Sequence, residues 1–297
     1  MARAAVPSPT AFARGRSGEA QLPSMIEQPN VHLTLASRAE NVVLVREVLA
    51  ALADEIDFGG ALDDVKTAVS EACNNVVLHA YPGGEGPMEI DLALLPGELD
   101  VVVRDHGVGT VARGESDDAP GRGIGLAVIE ALAARFELLV RPGEGVEVEM
   151  AFAIGQAAEP QGAAPLDADV VAASDIAVLV TPAELAAPIL NRLLGALAAR
   201  AGFTLDRLSD TQLLSDALGA RIATELDDGG CALGVDVLDH AISLRVGRLR
   251  AGGGASLLAH SAVGGLGPVI ERLADEVGVI DVGGAEVLEL VMRAQPA

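Results

Sequence analysis

Ala68-Val69-Ser70-Glu71-Ala72-Cys73-Asn74-Asn75, followed by His79-Ala80-Tyr81, carries two patterns at once. Val65, Val69, Ala72, Val76 and Ala80 recur every three or four residues. That is the buried stripe of a helix, which starts at Asp63 and stops at Tyr81-Pro82-Gly83-Gly84. Glu71 and Asn75 lie four apart, so their side chains share one face, and His79 continues the row. Polar groups beside an apolar stripe are costly unless partnered. An isolated Glu–Asn pair is otherwise a solvated face, so the flanking residues must decide between the two readings.

Working outward, Val31 to Ala36 reads as a strand, and Val42, Val45, Leu49, Leu52 and Ile56 mark an amphipathic helix. Met88–Leu95 and Leu99–Asp105 are two strands joined by Pro96-Gly97, a hairpin signal. His106 to Arg122 forms a polar, glycine-containing loop of 17 residues. Loops of that length inside a domain are functional lids or disordered segments. Gly123 opens a helix that runs through Arg135, and strands near Glu137–Val140 and Val146–Ile154 close the unit. Residues 1–30 read as a disordered arm without the apolar stretch of a secretory signal, and Met25 is an alternative start. Residues 156–169 read as a linker by composition. The boundaries expected are therefore 1–30, 31–155, 156–169 and 170–297.

The last of these segments echoes the second. Ala196-Leu197-Ala198 falls where Ala51-Leu52-Ala53 does, Phe203 matches Phe58, and Ser215-Asp216-Ala217 matches Ser70-Glu71-Ala72. Gly265-Leu266-Gly267 echoes Gly123-Ile124-Gly125, and Val269-Ile270-Glu271 echoes Val128-Ile129-Glu130. Gly284-Ala285-Glu286-Val287 follows Gly145-Val146-Glu147-Val148. Each match is weak alone, but their order and near-constant spacing point to a degenerate duplication, against the alternative of an unrelated α/β domain.

Two glycine-bearing segments add chemistry to the Glu71 face. Asp105-His106-Gly107-Val108-Gly109 follows an apolar strand. An Asp there can accept a hydrogen bond from an exocyclic amine, and the glycines let main chain approach a flat ring or a phosphate; alone, the pattern is a plain turn. Gly121-Arg122-Gly123-Ile124-Gly125-Leu126 stands at the mouth of a helix, where free amides and the positive dipole end suit an anion. Arg122 is the nearby cation that could reach a terminal phosphate. No βαβ unit surrounds it, which disfavours a dinucleotide site. The chain's single lysine, Lys66, lies within the helical pattern and serves neither a P-loop nor a eukaryotic-type kinase strand.

The ordered set Glu71-x-x-x-Asn75, Asp105-x-Gly107-x-Gly109, long loop, Gly121-x-Gly123-x-Gly125 resembles the ATP-binding domain of the histidine-kinase-like (GHKL) superfamily shared by gyrase, heat-shock chaperones, sensor histidine kinases and mismatch-repair ATPases. Residues 68–81 are most similar to anti-sigma-factor serine/threonine kinases of bacterial partner-switching systems. The resemblance implies an α+β fold: a two-layer α/β sandwich with a mixed, mainly antiparallel sheet covered by helices on one face, here duplicated in tandem. It implies ATP and Mg²⁺ as cofactors. Asn75 matches the Mg²⁺ ligand, Glu71 the general base, and Asp105 the adenine-reading carboxylate with Gly107 and Gly109 beside the base. Gly121, Gly123 and Gly125, with Arg122, Ile124 and Leu126 among them, match the lid hinge and phosphate cradle. His79 is either a nucleotide-stacking group or a structural helix-end contact, His106 a tolerated loop residue, and Cys73 a small core hydrophobe rather than a nucleophile.

The second half departs from the pattern at each chemical position. Gly219 and Ala220 replace Asn74 and Asn75, Asp216 replaces Glu71, the strand Ala241–Leu249 ends near Arg248 where an Asp is needed, and Pro268 enters a first helical turn. The reading is a repeat that kept its packing and lost its nucleotide.

Composition narrows the partners. A net charge of −23 argues against nucleic acid or an anionic membrane, both of which require a basic face. Two cysteines exclude a disulfide framework and a cysteine-rich zinc site. With 50% hydrophobic residues but 2% aromatic, the cores must be aliphatic. The sequence expectation is a cytoplasmic, ATP- and Mg²⁺-dependent protein serine/threonine kinase and anti-sigma regulatory factor. Its protein partners would be a sigma factor, a STAS-type anti-anti-sigma factor or both, and it would act as a homodimer or an intramolecular pseudo-dimer. The rival is a nucleotide-sensing module that sequesters a partner without phosphoryl transfer. A remnant of a sensor kinase acting on His lacks its phospho-acceptor segment.

Overall fold

The structure, a computed structural model, describes residues 26, 28–108, 124–155, 171, 174–227, 229–262 and 267–294. Gly109, Gly121, Arg122, Gly123 and Gly265 lie outside the described residues, as do nearly all of the expected N-terminal arm and linker.

The first half runs β1 (Val31–Ala36), α1 (Ala39–Glu55), α2 (Leu62–His79), β2 (Pro87–Leu95), β3 (Glu98–Asp105), α3 (Ile124–Leu132), β4 (Arg135–Arg141) and β5 (Gly145–Ala153). Alternation in β1 sends Val31, Leu33 and Leu35 into the core. Val48, Leu49 and Leu52 of α1 and Val65, Val69 and Val76 of α2 close over them. The hairpin turn at Pro96-Gly97 sits where expected, with Leu95 opposite Glu98.

The helix expected to run through Arg135 stops at Leu132 instead. The amide of Ala133 closes the last turn on the Ile129 carbonyl, and the next amide, Ala134, bonds the Ala151 carbonyl of β5. The sheet thus captures the chain before another helical turn can form, and Arg135 becomes the first residue of β4.

The second half runs β6 (Ile176–Val180), a 3-10 turn (Ala183–Leu185), α4 (Ala186–Arg200), α5 (Leu205–Gly219), α6 (Ile222–Glu225), β7 (Cys231–Leu238), β8 (Ala241–Leu249), α7 (Gly253–His260), α8 (Ile270–Leu273), β9 (Glu276–Val282) and β10 (Ala285–Arg293). Apart from added short helices, the element order repeats that of the first half.

Among the described residues ten strands form one sheet in the order β4-β5-β3-β2-β1-β6-β7-β8-β10-β9, and each ladder between them is antiparallel. The order reads the same from either edge once β6 is matched to β1. The halves meet where β1 pairs β6, with Leu33 opposite Val178. Asn30 and Thr181 extend this join: the Thr181 backbone amide donates to the Asn30 carbonyl, and the Asn30 side-chain amide donates to the Thr181 carbonyl. The described helices cover one face with a continuous aliphatic core.

The opposite face carries a chain of charges built on two buried carboxylates, Asp91 and Glu147. His32 Nδ1 lies 2.6 Å from Asp91, Arg104 pairs with Asp91 and with Glu147 (3.0 Å), and Arg141 reaches Glu147 at 2.9 Å. Burial pushes Asp91 and Glu147 upward, but His32 and Arg104 outweigh it for Asp91, and Glu149, Arg104 and Arg141 for Glu147. Both carboxyls are held below their ordinary values.

Two details differ from the sequence echo. Gly145 and Ala285, rather than Gly284, take the first rung after their turns, opposite Arg141 and Val282. The second turn is one residue shorter, Gly283-Gly284 against Pro142–Glu144. Pro268 precedes α8, bridging Ala262, with Val269 as the cap, so it stands outside the helical turn.

Candidate functional site

The site is built along one edge of α2, whose other side is fixed to the core by Val65, Ala68, Val69, Ala72, Cys73 and Val76. Glu71 and Asn75, one turn apart on this anchored helix, are half-buried and face the start of α3. The contact is close at Gly125: a Cβ added there would stand 2.9 Å from Glu71 Oε2 and 3.6 Å from Asn75 Oδ1. A side chain at this position would have to displace the Glu71 carboxylate. Leu126 packs against the core behind it, while Ile124 is exposed.

The other end of the site lies at the C-terminus of the same helix. Asp105 is the last residue of β3 and falls on the helix-bearing face, two residues after core Val103. It is buried, and its Oδ1 accepts the Gly107 amide at 2.9 Å. Burial pushes this carboxyl above its ordinary value, while the amides of Gly107 and Val146 pull partly back. A Cβ on Gly107 would overlap the carbonyl of Ala80, the residue that caps α2. From Glu71 to Ala80 is roughly 13 Å of helix at 1.5 Å per residue. Acid and amide therefore occupy one end of an elongated site, and the Asp105 corner the other.

The remaining expected residues are placed as follows. His79 is half-buried on the last turn of α2 and engaged in an interaction there. His106 is exposed, its Nε2 3.0 Å from Glu89. Cys73 is buried, and burial pushes its thiol up to about 12, as befits a core side chain.

Tyr81, quoted in the motif without a role, turns out to shape the Asp105 corner. Its hydroxyl accepts the His106 amide at 2.8 Å and donates to the Pro87 carbonyl at 2.6 Å. No spacing rule would have singled it out, because Pro87 and His106 meet only through strand register.

The corresponding places in the second half are occupied differently. Asp216 accepts hydrogen bonds from Asn191 (3.1 Å) and Gln212 (3.0 Å). Arg248 stands near the end of β8 with φ +60°. At the start of α7, an added helix ahead of the α8 that the echo matches to α3, the Glu286 carboxylate takes the amides of Gly252 (2.7 Å) and Gly254 (3.0 Å), which hold its pKa below the ordinary value. That helix mouth already carries a negative group from its own chain.

Among the described residues, no helix is long and apolar enough to cross a membrane. Residues 35–152 match the family described as Histidine kinase-like ATPase domain. The chain is similar to proteins named Serine-protein kinase RsbW from Bacillus thuringiensis (strain Al Hakam), Bacillus anthracis and Bacillus mycoides (strain KBAB4). In each case 34% of 79 residues are identical, covering 26% of this chain and 49% of the relative. The chain thus spans about half the length of the curated relatives it matches. Over residues 35–152 the chain is thus similar to a histidine kinase-like ATPase domain, and over 79 residues to the serine-protein kinases.

Proposed function

We propose that the first half binds ATP with Mg²⁺ and transfers its terminal phosphoryl group to a serine or threonine of a protein partner, and that the chain is an anti-sigma regulatory factor. The observation that carries this reading is the convergence of Glu71 and Asn75 on Gly125, with Asp105 at the far end of the same helix. The glycine that leaves room beside the acid and the amide is what a phosphate-bearing ligand needs. Bound Mg²⁺ would offset charge on the phosphates, and the Asn75 amide oxygen would be its protein ligand. Asp105 accepts from the exocyclic amine of adenine, with Gly107 beside the ring. Glu71 takes the proton from the attacking hydroxyl, a role worth about 10²–10⁴-fold in rate. By the resemblance, Gly109 joins Gly107 beside the base, Gly121, Arg122, Gly123, Ile124 and Leu126 belong to the lid hinge and phosphate cradle, and His79 closes the row on α2.

The partners proposed are a sigma factor and a small anti-anti-sigma protein of the STAS type, in the cytoplasm. Residues 170–297 are proposed as a degenerate repeat of 31–155, a reading supported by the repeated element order. In this pseudo-dimer the second half takes the place of a second copy.

The test incubates the full chain with γ-labelled ATP, Mg²⁺ and candidate STAS proteins. Label on the partner with wild type, and a loss of about 100-fold or more in Glu71→Gln, is expected. Tight ATP binding without transferred label would instead favour the sequestering module, because binding alone requires Asn75, Asp105 and the glycines but no base.

A further inference from the structure

The β2–β3 ladder holds strict register to its last rung, Met88 opposite Asp105. The next opposed residues would be Pro87 and His106. Between them stands the Tyr81 hydroxyl, receiving the His106 N–H and donating to the Pro87 carbonyl. A hydroxyl interposed in this way continues the hydrogen bonding of the ladder while holding the strands one oxygen further apart. The opening comes immediately after Asp105, where the chain must leave the sheet and turn back so that Gly107 can bond the Asp105 carboxylate and rest on Ala80. The Tyr81 ring is seated against Gly86, where any Cβ would overlap it. Tyr81 is the chain's single tyrosine.

The second half provides an internal comparison. There Leu226, the residue capping α6, meets Leu249 directly in an isolated backbone bridge, with no hydroxyl between. That strand end carries Arg248 rather than an adenine-reading acid. The splayed, hydroxyl-bridged corner belongs to the half that presents Asp105.

Resting on the nucleotide-site reading above, we propose that Tyr81 is a positioning residue for base recognition: its hydroxyl sets the angle at which Asp105 and Gly107 meet the purine. It touches no reacting atom. Tyr81→Phe keeps the ring on Gly86 and removes only the bridge, leaving the His106 amide and the Pro87 carbonyl to close up or to take water.

The experiment measures binding of ATP and GTP, each with Mg²⁺, to the full-length wild type and to Tyr81→Phe, with thermal midpoints alongside. A carboxylate that reads the 6-amino group prefers adenine, since guanine carries an oxygen there. The expected result is a Kd for ATP raised about 3- to 10-fold, the change carried by one hydrogen bond. The Kd for GTP should be unchanged, so that base preference shrinks. Unchanged ATP binding in the variant overturns the proposal. So does an equal weakening of both nucleotides, which is what loosened packing alone would produce. A wild type that binds neither nucleotide overturns the site reading and this proposal with it, an outcome distinct from the failure of Tyr81 alone.

Discussion

At Gly125 the acid leaves little room for a side chain. An alanine there would bring its methyl within 2.9 Å of Glu71 Oε2, the free end of a flexible side chain, so the fold can yield but the acid must move. Alanine is also the better helix former by about 1 kcal/mol. Gly125→Ala is therefore expected to keep or raise the thermal midpoint while lowering the rate of phosphoryl transfer about tenfold or more, the scale of a displaced general base. Steady-state labelling beside a melting curve checks both. The Glu71–Asn75 pair was legible in the sequence because a helix repeats every 3.6 residues, which needs no knowledge of the rest of the chain. Tyr81 was not, because its role depends on which residue of β2 faces which residue of β3, a register that a single sequence does not expose.

At the scale of elements, β3 and β4 carry a titration that the fold itself imposes. Asp100 is buried on the face away from the helices, and burial followed by Glu98 pushes its carboxyl up to about 6, with Arg135 pulling the other way. A raised carboxyl binds its proton more tightly in the folded chain than in the unfolded one. Its contribution is therefore present at low pH and lost as pH rises from about 4 through 6. Asp100→Asn is expected to remove that decline and to melt several degrees higher than wild type at pH 8, with the difference vanishing near pH 3.5. Thermal melts across this range test it. Asp91 and Glu147 have the opposite sign: their stabilisation holds at neutral pH and disappears as pH falls through their depressed values. The strands of the first half were readable from alternation and turn residues, and Val31–Ala36 and, in the second half, Ala241–Leu249 match to the residue. The end of α3 was not, since Ala133-Ala134 is good helix sequence and only the bond from Ala134 to Ala151 pulls the chain away.

At the scale of the molecule, the two halves share a local two-fold relation. Leu33 and Val178, directly paired, are 145 residues apart, and so are Glu47 and Arg192, which meet at 3.3 Å between α1 and α4. Were the halves identical, residue 47 would face its own equivalent and two like charges would meet. Arg192 turns that clash into a pair and adds Asp54 at 2.9 Å. The junction is thus matched to unlike halves. Arg192→Glu is expected to lower stability by about 1 kcal/mol, the range of partly exposed ion pairs, and the double variant with Glu47→Arg to recover much of it. Denaturant titration of the three chains reads the coupling. The order of repeated motifs was visible in the sequence, but the joining of both sheets through β1 and β6 was not, because neither strand names its partner.

Calorimetric titration of Mg²⁺–ATP into the full-length chain bears most directly on the whole account. Saturation at a single nucleotide per chain is expected, with binding lost in Asn75→Ala and weakened at least tenfold in Asp105→Asn, the cost of an unmet hydrogen bond to a charged group. No heat of binding, two equivalent sites per chain, or an affinity indifferent to both substitutions would contradict it.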